Sequence, residues 1–230
     1  MVQYRILKVL REYLTKHGKK ERAGKIEQRK IGFREPDLGY YYIVTDAVET
    51  EPNFFNGIKE NLPDKVKGRL VIKVKTAKTY DMVDTILSET SKRPIVYDKW
   101  IVFDRDQVKE FDELVLKARK HEINVGWSNP CIEILFLAYF GKSPSLYNQK
   151  ECIKEFENVY SKKLGKKYEK NNKEIYKKLI ENGDEKLAIS IIKKKYEEYL
   201  NDGIKKPSEM KGVSKVYKLL EEIGDKVSHQ

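Results

Sequence analysis

Short aromatic or β-branched runs alternate with longer stretches of helical spacing through most of the first 140 residues. After Pro36 and Gly39 the run YYYIVTD (40–46) has the look of a buried strand. TEPNFFNGIKENLP (50–63) follows with Phe54, Phe55, Ile58 and Leu62 on one helical face, Thr50 as a candidate N-cap and Pro52 in the first turn. RLVIKVKT (69–76) alternates as a second strand, and YDMVDTILSET (80–90) carries Met82, Val83, Ile86 and Leu87 at helical spacing. DKWIVFDRD (98–106) is a third strand, and the amphipathic stretch 107–122 follows with Phe111, Leu114, Val115 and Ala118 inward. INVGWS (123–128) is a short fourth strand, and IEILFLAYF (132–140) a buried helix. Strands separated by helices predict an α/β fold with a mostly parallel sheet flanked by helices.

The ends of the chain read differently. Residues 3–16 place Ile6, Leu7, Val9, Leu10 and Leu14 close to a helical stripe, and 17–30 are polar and lysine-rich. Beyond Gly141 the chain turns to Lys- and Tyr-rich helical stretches with breaks near Gly165 and Asn182-Gly183, and a last helix from about Val213 to Ile223. The expected organisation is a basic helical arm (1–35), an α/β core (36–148) and a helical C-terminal extension packed on that core (149–230).

Charge sharpens this division. The formal net charge is +11. Residues 1–35 hold eleven Lys and Arg against four Glu, a net +7, and residues 150–218 hold nineteen Lys against twelve acids, again +7. Residues 36–149 carry sixteen bases and seventeen acids, so the basic excess flanks a neutral middle. That arrangement suits a polyanion held around a central acidic site, although well-solvated lysine helices give the same count. A hydrophobic content of 40%, a charged content of 36% and a mean hydropathy of −0.68 fit a soluble chain. No run of about 18 apolar residues offers a bilayer span, and no secretory signal is expected. Two cysteines outside any Cys/His cluster argue against a structural zinc and for a reducing, cytoplasmic setting.

Chemistry concentrates at strand ends. In a parallel sheet, the loops at the C-terminal strand ends line one crevice. Asp46 follows the first strand, Asp104 and Asp106 follow the third, and Glu133 comes just after the fourth. The i, i+2 spacing lets Asp104 and Asp106 point the same way if the strand persists. Oxygen ligands without a His or Cys cluster favour Mg²⁺ or Mn²⁺. Such an ion can bind a phosphate oxygen, activate water and stabilise a leaving oxygen. The remaining candidates read as structural. His17, His121 and His229 are scattered in polar places, Cys131 reads as a buried thiol, and Trp100 and Trp127 as core. Tyr160, Tyr168, Tyr176, Tyr196 and Tyr199, interleaved with lysines, read first as helix packing and second as a base-stacking surface.

IVTDAVETEPNFF, WIVFDRD, VGWSNPCIEILFLAYF and KPSEMKGVSKVYKLLEEI, in this order and spacing, resemble the RloB-like family from about Gly39 to Ile223. The resemblance implies a TOPRIM-like α/β core, related to OLD-type nucleases, primases and topoisomerases, with a Mg²⁺ or Mn²⁺ centre. It also implies a nuclease of a prokaryotic anti-phage defence system, acting on DNA or RNA beside a partner ATPase of AAA or ABC type encoded nearby. On this reading Asp104 and Asp106 are the family's DxD pair, Glu51 in TEP joins the acidic site, and Asn129 and Glu133 belong to its NPCxE motif. The implied catalytic set is Asp46, Glu51, Asp104, Asp106 and Glu133, with Asp46, Asp104, Asp106 and Glu133 on metal. Helix-dipole stabilisation is the competing role for Glu51, and a salt bridge within the fold that for Glu133. The chain departs from the family pattern at Asp46-Ala47, where Glu-Gly is usual, and at Tyr139, where His is frequent. The first departure shortens a ligand by one methylene and places a methyl in a turn glycine makes freely. A catalytically degenerate module that binds nucleic acid or the ATPase without cutting is therefore the second expectation. The sequence leaves oligomeric state open.

Overall fold

The computed structural model describes residues 36–92, 95–105, 108–146 and 148–230. The expected N-terminal arm (1–35) and Asp106 lie outside those residues. The strands are β1 (Gly39–Thr45), β2 (Leu70–Thr76), β3 (Asp98–Asp104), β4 (Asn124–Asn129) and β5 (Val213–Ser214). They form one sheet in the order β2-β1-β3-β4-β5. β1 to β4 run parallel, and β5 pairs antiparallel with β4. Eight helices flank the sheet among the described residues: α1 (Thr50–Glu60), α2 (Met82–Ser91), α3 (Phe111–Lys120), α4 (Glu133–Tyr139), α5 (Gln149–Leu164), α6 (Ile175–Asn182), α7 (Glu185–Asn201) and α8 (Val216–Ser228). This mostly parallel, helix-flanked sheet is consistent with the expected TOPRIM-like α/β fold.

Burial explains why the strands form where they do. Tyr41 to Val44 in β1 and Trp100 to Phe103 in β3 are buried without interruption, as parallel strands covered on both faces require. β2 lies at the sheet edge, and there the pattern alternates: Leu70 and Ile72 are buried, while Lys73 and Lys75 face solvent. Each fully buried Phe or Trp side chain contributes on the order of 2 kcal/mol of transfer free energy. β4 turns through the Asn129-Pro130 peptide into α4, whose seven residues are all buried. A helix apolar on every side needs neighbours on every side. α5, α6, α7 and β5 supply them, and α8 packs on β4.

The C-terminal residues thus complete the sheet as well as cover it. A helix from about Val213 was expected, whereas Val213–Ser214 form the antiparallel edge strand and the helix starts at Val216. Two ladder residues leave no periodicity to read. Asn129 and Asp112 hold this segment. The Asn129 amide donates to the Pro207 and Ser208 carbonyls (3.1 and 3.0 Å), and Asp112 accepts from the Ser208 N–H and hydroxyl (3.0 and 2.6 Å). Two helix starts also differ from expectation. α3 begins at Phe111 instead of 107. Thr50 is not the cap of α1: it is the first helical residue, with Glu49 before it, and its buried hydroxyl donates to the Lys170 carbonyl (3.4 Å).

Candidate metal centre

Strand register brings the acidic residues together. The pairs Thr45–Val102 and Asp104–Ser128 align the C-terminal ends of β1, β3 and β4. The Asp46 N–H extends the ladder by one bond to the Val102 carbonyl (3.3 Å), and the Arg105 N–H donates to the Ser128 carbonyl (2.8 Å). The chain steps from β1 outward to β2 and then back across to β3. The β1–β3 seam is therefore the topological switch point, where crevices open in such sheets. Asp46 and Asp104 sit on its two sides.

Glu51 enters from the first turn of α1 and Glu133 from the first turn of α4. Asp46, Glu51, Asp104 and Glu133 line one cavity of about 300 Å³ with Gln149 and Lys170. A second cavity of about 400 Å³ shares Asp46, Glu51, Asp104 and Gln149 with it and reaches Thr79 and Tyr80. Four of the five acidic residues expected at the site are thus brought together; Asp106 is outside the described residues. Glu51 and Glu133 are each only 2% exposed.

Such crowding of carboxyls is costly without a counter-charge, and their proton affinities record it. Burial pushes Asp46 up to about 6, against the Thr79 hydroxyl donating to Oδ2 (3.3 Å) and backbone N–H groups. Burial, then the charge of Asp46, pushes Glu51 up to about 8. Asp104 is raised well above the ordinary range by burial and by Glu51, Glu133 and Asp46. Glu133 has one strong neutral partner, the Tyr168 hydroxyl, which donates to Oε1 at 3.0 Å. A hydrogen bond therefore holds Glu133, in place of the salt bridge that the sequence alone also allowed.

Two carboxylate oxygens of this cavity have no hydrogen-bond partner. Glu51 Oε2 and Asp104 Oδ1 are buried and accept no hydrogen bond. Buried orphans of this kind are rare in folded proteins and call for a ligand. Hard anionic oxygens converging on a small polar cavity suit a divalent cation such as Mg²⁺ or Mn²⁺. The residues present fit such an ion.

Several contributors carried no readable signal. Tyr168 stands in KKYEKNNK (166–173), between α5 and α6, where nothing in the local spacing points to the acidic site. It is buried, in line with the packing role read first for these tyrosines, and Lys166, Lys167, Lys170 and Lys173 around it are exposed. The loop is pinned at two points beside the acidic cavity, by Tyr168 on Glu133 and by the Lys170 carbonyl on Thr50. Cys131 is fully buried as expected, yet its sulfur and one carboxylate oxygen each of Asp104 and Glu133 lie within 4.8 Å of one another. Tyr139 is turned to another task, donating to Glu185 Oε2 at 2.6 Å. Tyr160 is buried, and Tyr176, Tyr196 and Tyr199 pack against the core, in line with the packing role expected of them.

Among the described residues no helix is long and apolar enough to cross a membrane. No curated protein and no solved structure matches the chain. A family model described as RloB-like protein matches residues 41–223, which include every strand but the first two residues of β1 and all the acidic residues named above. The chain belongs to the RloB-like family.

Proposed function

We propose that the protein is a divalent-metal-dependent nuclease, a phosphodiester hydrolase acting on DNA or RNA. The observation that carries this reading is the pair of buried, unpartnered oxygens, Glu51 Oε2 and Asp104 Oδ1, in a cavity shared with Asp46 and Glu133. Asp46, Asp104 and Glu133, with Glu51 beside them, would hold the ion, and Asp106 belongs to the same proposed set. When bound, the ion supplies a polarised phosphate oxygen and a water of lowered pKa.

The chain's own residues divide the remaining work. Thr79 fixes the Asp46 carboxylate and Tyr168 fixes that of Glu133, so both point into the cavity before any substrate arrives. Lys170 lines the cavity, and Lys166, Lys167 and Lys173 stand exposed on the same loop, where they attract the nucleic-acid backbone. Asp46, whose carboxyl is pushed up to about 6 by burial in the metal-free chain, gives up that proton near neutral pH and is then free to hold the ion. The role in anti-phage defence and the neighbouring ATPase partner rest on the family resemblance, and are proposed with it.

The test is cleavage of DNA and of total RNA in Mg²⁺ or Mn²⁺, with and without the ATPase encoded nearby. Asp104→Asn should reduce cleavage to background while leaving the fold intact by circular dichroism. Cleavage by Asp104→Asn equal to the wild type would remove Asp104 from the site. Calorimetric titration separates the non-cutting alternative, because a degenerate centre should take up neither ion at millimolar concentration.

A further inference from the structure

The oxygen-rich cavity has a sulfur at its back. Cys131 comes directly after Pro130, at the turn from β4 into α4, and that turn brings its side chain beside Asp104 and Glu133. It is 0% exposed and does not line the cavity, so solvent and bulky reagents do not reach it. Its Sγ and one oxygen each of Asp104 and Glu133 nevertheless lie within 4.8 Å of one another. Donor atoms around a single ion at metal–sulfur distances of about 2.3 Å and metal–oxygen distances of about 2.0–2.2 Å fall within this span. Glu51, 2% exposed with Oε2 unpartnered, lines the cavity with Asp104 and Glu133 and supplies an independent sign that a ligand binds on their side.

Resting on the metal-centre reading above, we infer that Cys131 is a metal ligand, and that the Asp104–Cys131–Glu133 corner selects a borderline divalent transition ion over Mg²⁺. Sulfur donors discriminate in this way because Mg²⁺ binds them poorly, whereas Mn²⁺, Fe²⁺, Co²⁺ and Zn²⁺ accept mixed oxygen–sulfur sets with increasing readiness. On binding, the thiol passes its proton to a neighbouring carboxylate oxygen of Asp104 or Glu133, which releases it through the cavity to solvent, and the sulfur lone pair forms the metal–sulfur bond with no change of oxidation state. Cys152 of α5 lies within hydrogen-bonding reach of Cys131, and in the metal-free chain their contact favours the protonated Cys131 thiol. Cys152 is a positioning group and not a ligand, since it is not part of the three-residue cluster.

Cobalt reports a thiolate ligand directly, through an intense near-ultraviolet sulfur-to-cobalt charge-transfer band that oxygen ligands do not produce. Chelator-stripped full-length protein is titrated with Co²⁺ under a non-thiol reductant, with bound cobalt measured in parallel by equilibrium dialysis. The wild type should develop the band in step with uptake. Cys152→Ser should keep it, and Cys131→Ser should bind cobalt with only the weak visible transitions. Competition should show Mg²⁺ displacing cobalt more readily from Cys131→Ser than from the wild type.

Cobalt bound by the wild type without the band overturns the sulfur ligand and leaves the acidic site standing. A band that survives in Cys131→Ser and vanishes in Cys152→Ser overturns the assignment to Cys131. No uptake by the wild type overturns both this inference and the metal-centre reading. Because the chain has two cysteines, the wild type and Cys152→Ser together decide, and a poorly folding Cys131→Ser does not remove the test.

Discussion

The Tyr168 hydroxyl donates a 3.0 Å hydrogen bond to Glu133 Oε1 within the protein interior, and so couples a lysine-rich surface loop to an acidic centre. The side chain of Tyr168 packs among Phe156 and Tyr160, with ring centroids 4.7 and 5.7 Å away. Tyr168→Phe keeps that aromatic contact and removes only the donor. Leaving Glu133 without its partner should cost about 1–3 kcal/mol in urea denaturation. The same variant should bind metal more weakly, because Glu133 is no longer held in place. An unchanged denaturation midpoint and metal affinity would mean that the bond is incidental.

Mutual repulsion in the cavity sets the pH dependence of the metal-free protein. Asp46 and Glu51 titrate near 3.8 and 4.5 ordinarily, and at about 6 and about 8 in the folded chain. Between those values the folded state holds more protons than the unfolded one, so stability falls as pH rises and the penalty is complete above about 8. A tenfold change in proton affinity corresponds to about 1.4 kcal/mol, so the effect is on the order of a few kcal/mol. A bound cation replaces the protons and removes the slope. Denaturation at about pH 5 and about pH 8 should show the chelated protein losing stability on going alkaline, relative to the Mn²⁺-loaded protein. The comparison at equal pH cancels the general effect of the +11 charge. Asp46→Asn should flatten part of the slope, and a chelated protein that gains stability over this range relative to the loaded one would contradict the argument.

Ala47, where the family pattern has glycine, has a simpler consequence than the sequence suggests. Among the described residues the one non-glycine with positive φ is Glu122, so Ala47 occupies ordinary backbone that an L side chain adopts without strain. Ala47→Gly should therefore relieve nothing. It should lower stability by about 0.4–1 kcal/mol, through added freedom in the unfolded chain. Cleavage, where measured, should not rise. A gain in stability would show that the methyl is strained after all.

The strands and the seam between β1 and β3 were readable because uninterrupted runs such as Tyr41–Val44 and Trp100–Phe103 leave few other structures available. Asp46 and Asp104 were readable for the same reason, since each follows such a run directly. Glu133 was readable from its place just after the fourth strand, whereas Glu51 needed the family resemblance, because a carboxylate in a first helical turn has a sufficient local explanation in the helix dipole. The burial of Tyr168 and Cys131 was readable, but their contacts with the acidic residues were not. The Tyr168–Glu133 bond joins positions 35 residues apart, and the Cys131 contact with Asp104 depends on how the β4–α4 turn docks against β3. Neither leaves a pattern in local spacing.

The position of the lysine-rich loop also depends on how closely α1 and α6 approach, and Gly57 sets that distance. A Cβ at Gly57 would lie 2.6 Å from Tyr176 Cβ and 3.5 Å from its Cγ. Gly57→Ala gains about 1 kcal/mol of helix propensity on an ordinary helix position. Here the clash is with an atom fixed to the backbone, so no rotamer change relieves it and α6 must move as a body. Overpacking of this kind costs about 1–3 kcal/mol, which should outweigh the propensity gain. Urea denaturation should therefore show Gly57→Ala less stable than the wild type. Tyr176→Ala keeps the offending Cβ and should not rescue it, whereas Tyr176→Gly removes that atom and should recover part of the loss in a double-mutant cycle. Rescue by alanine as complete as by glycine would place the conflict in the tyrosine ring, and not in the approach of the two helices.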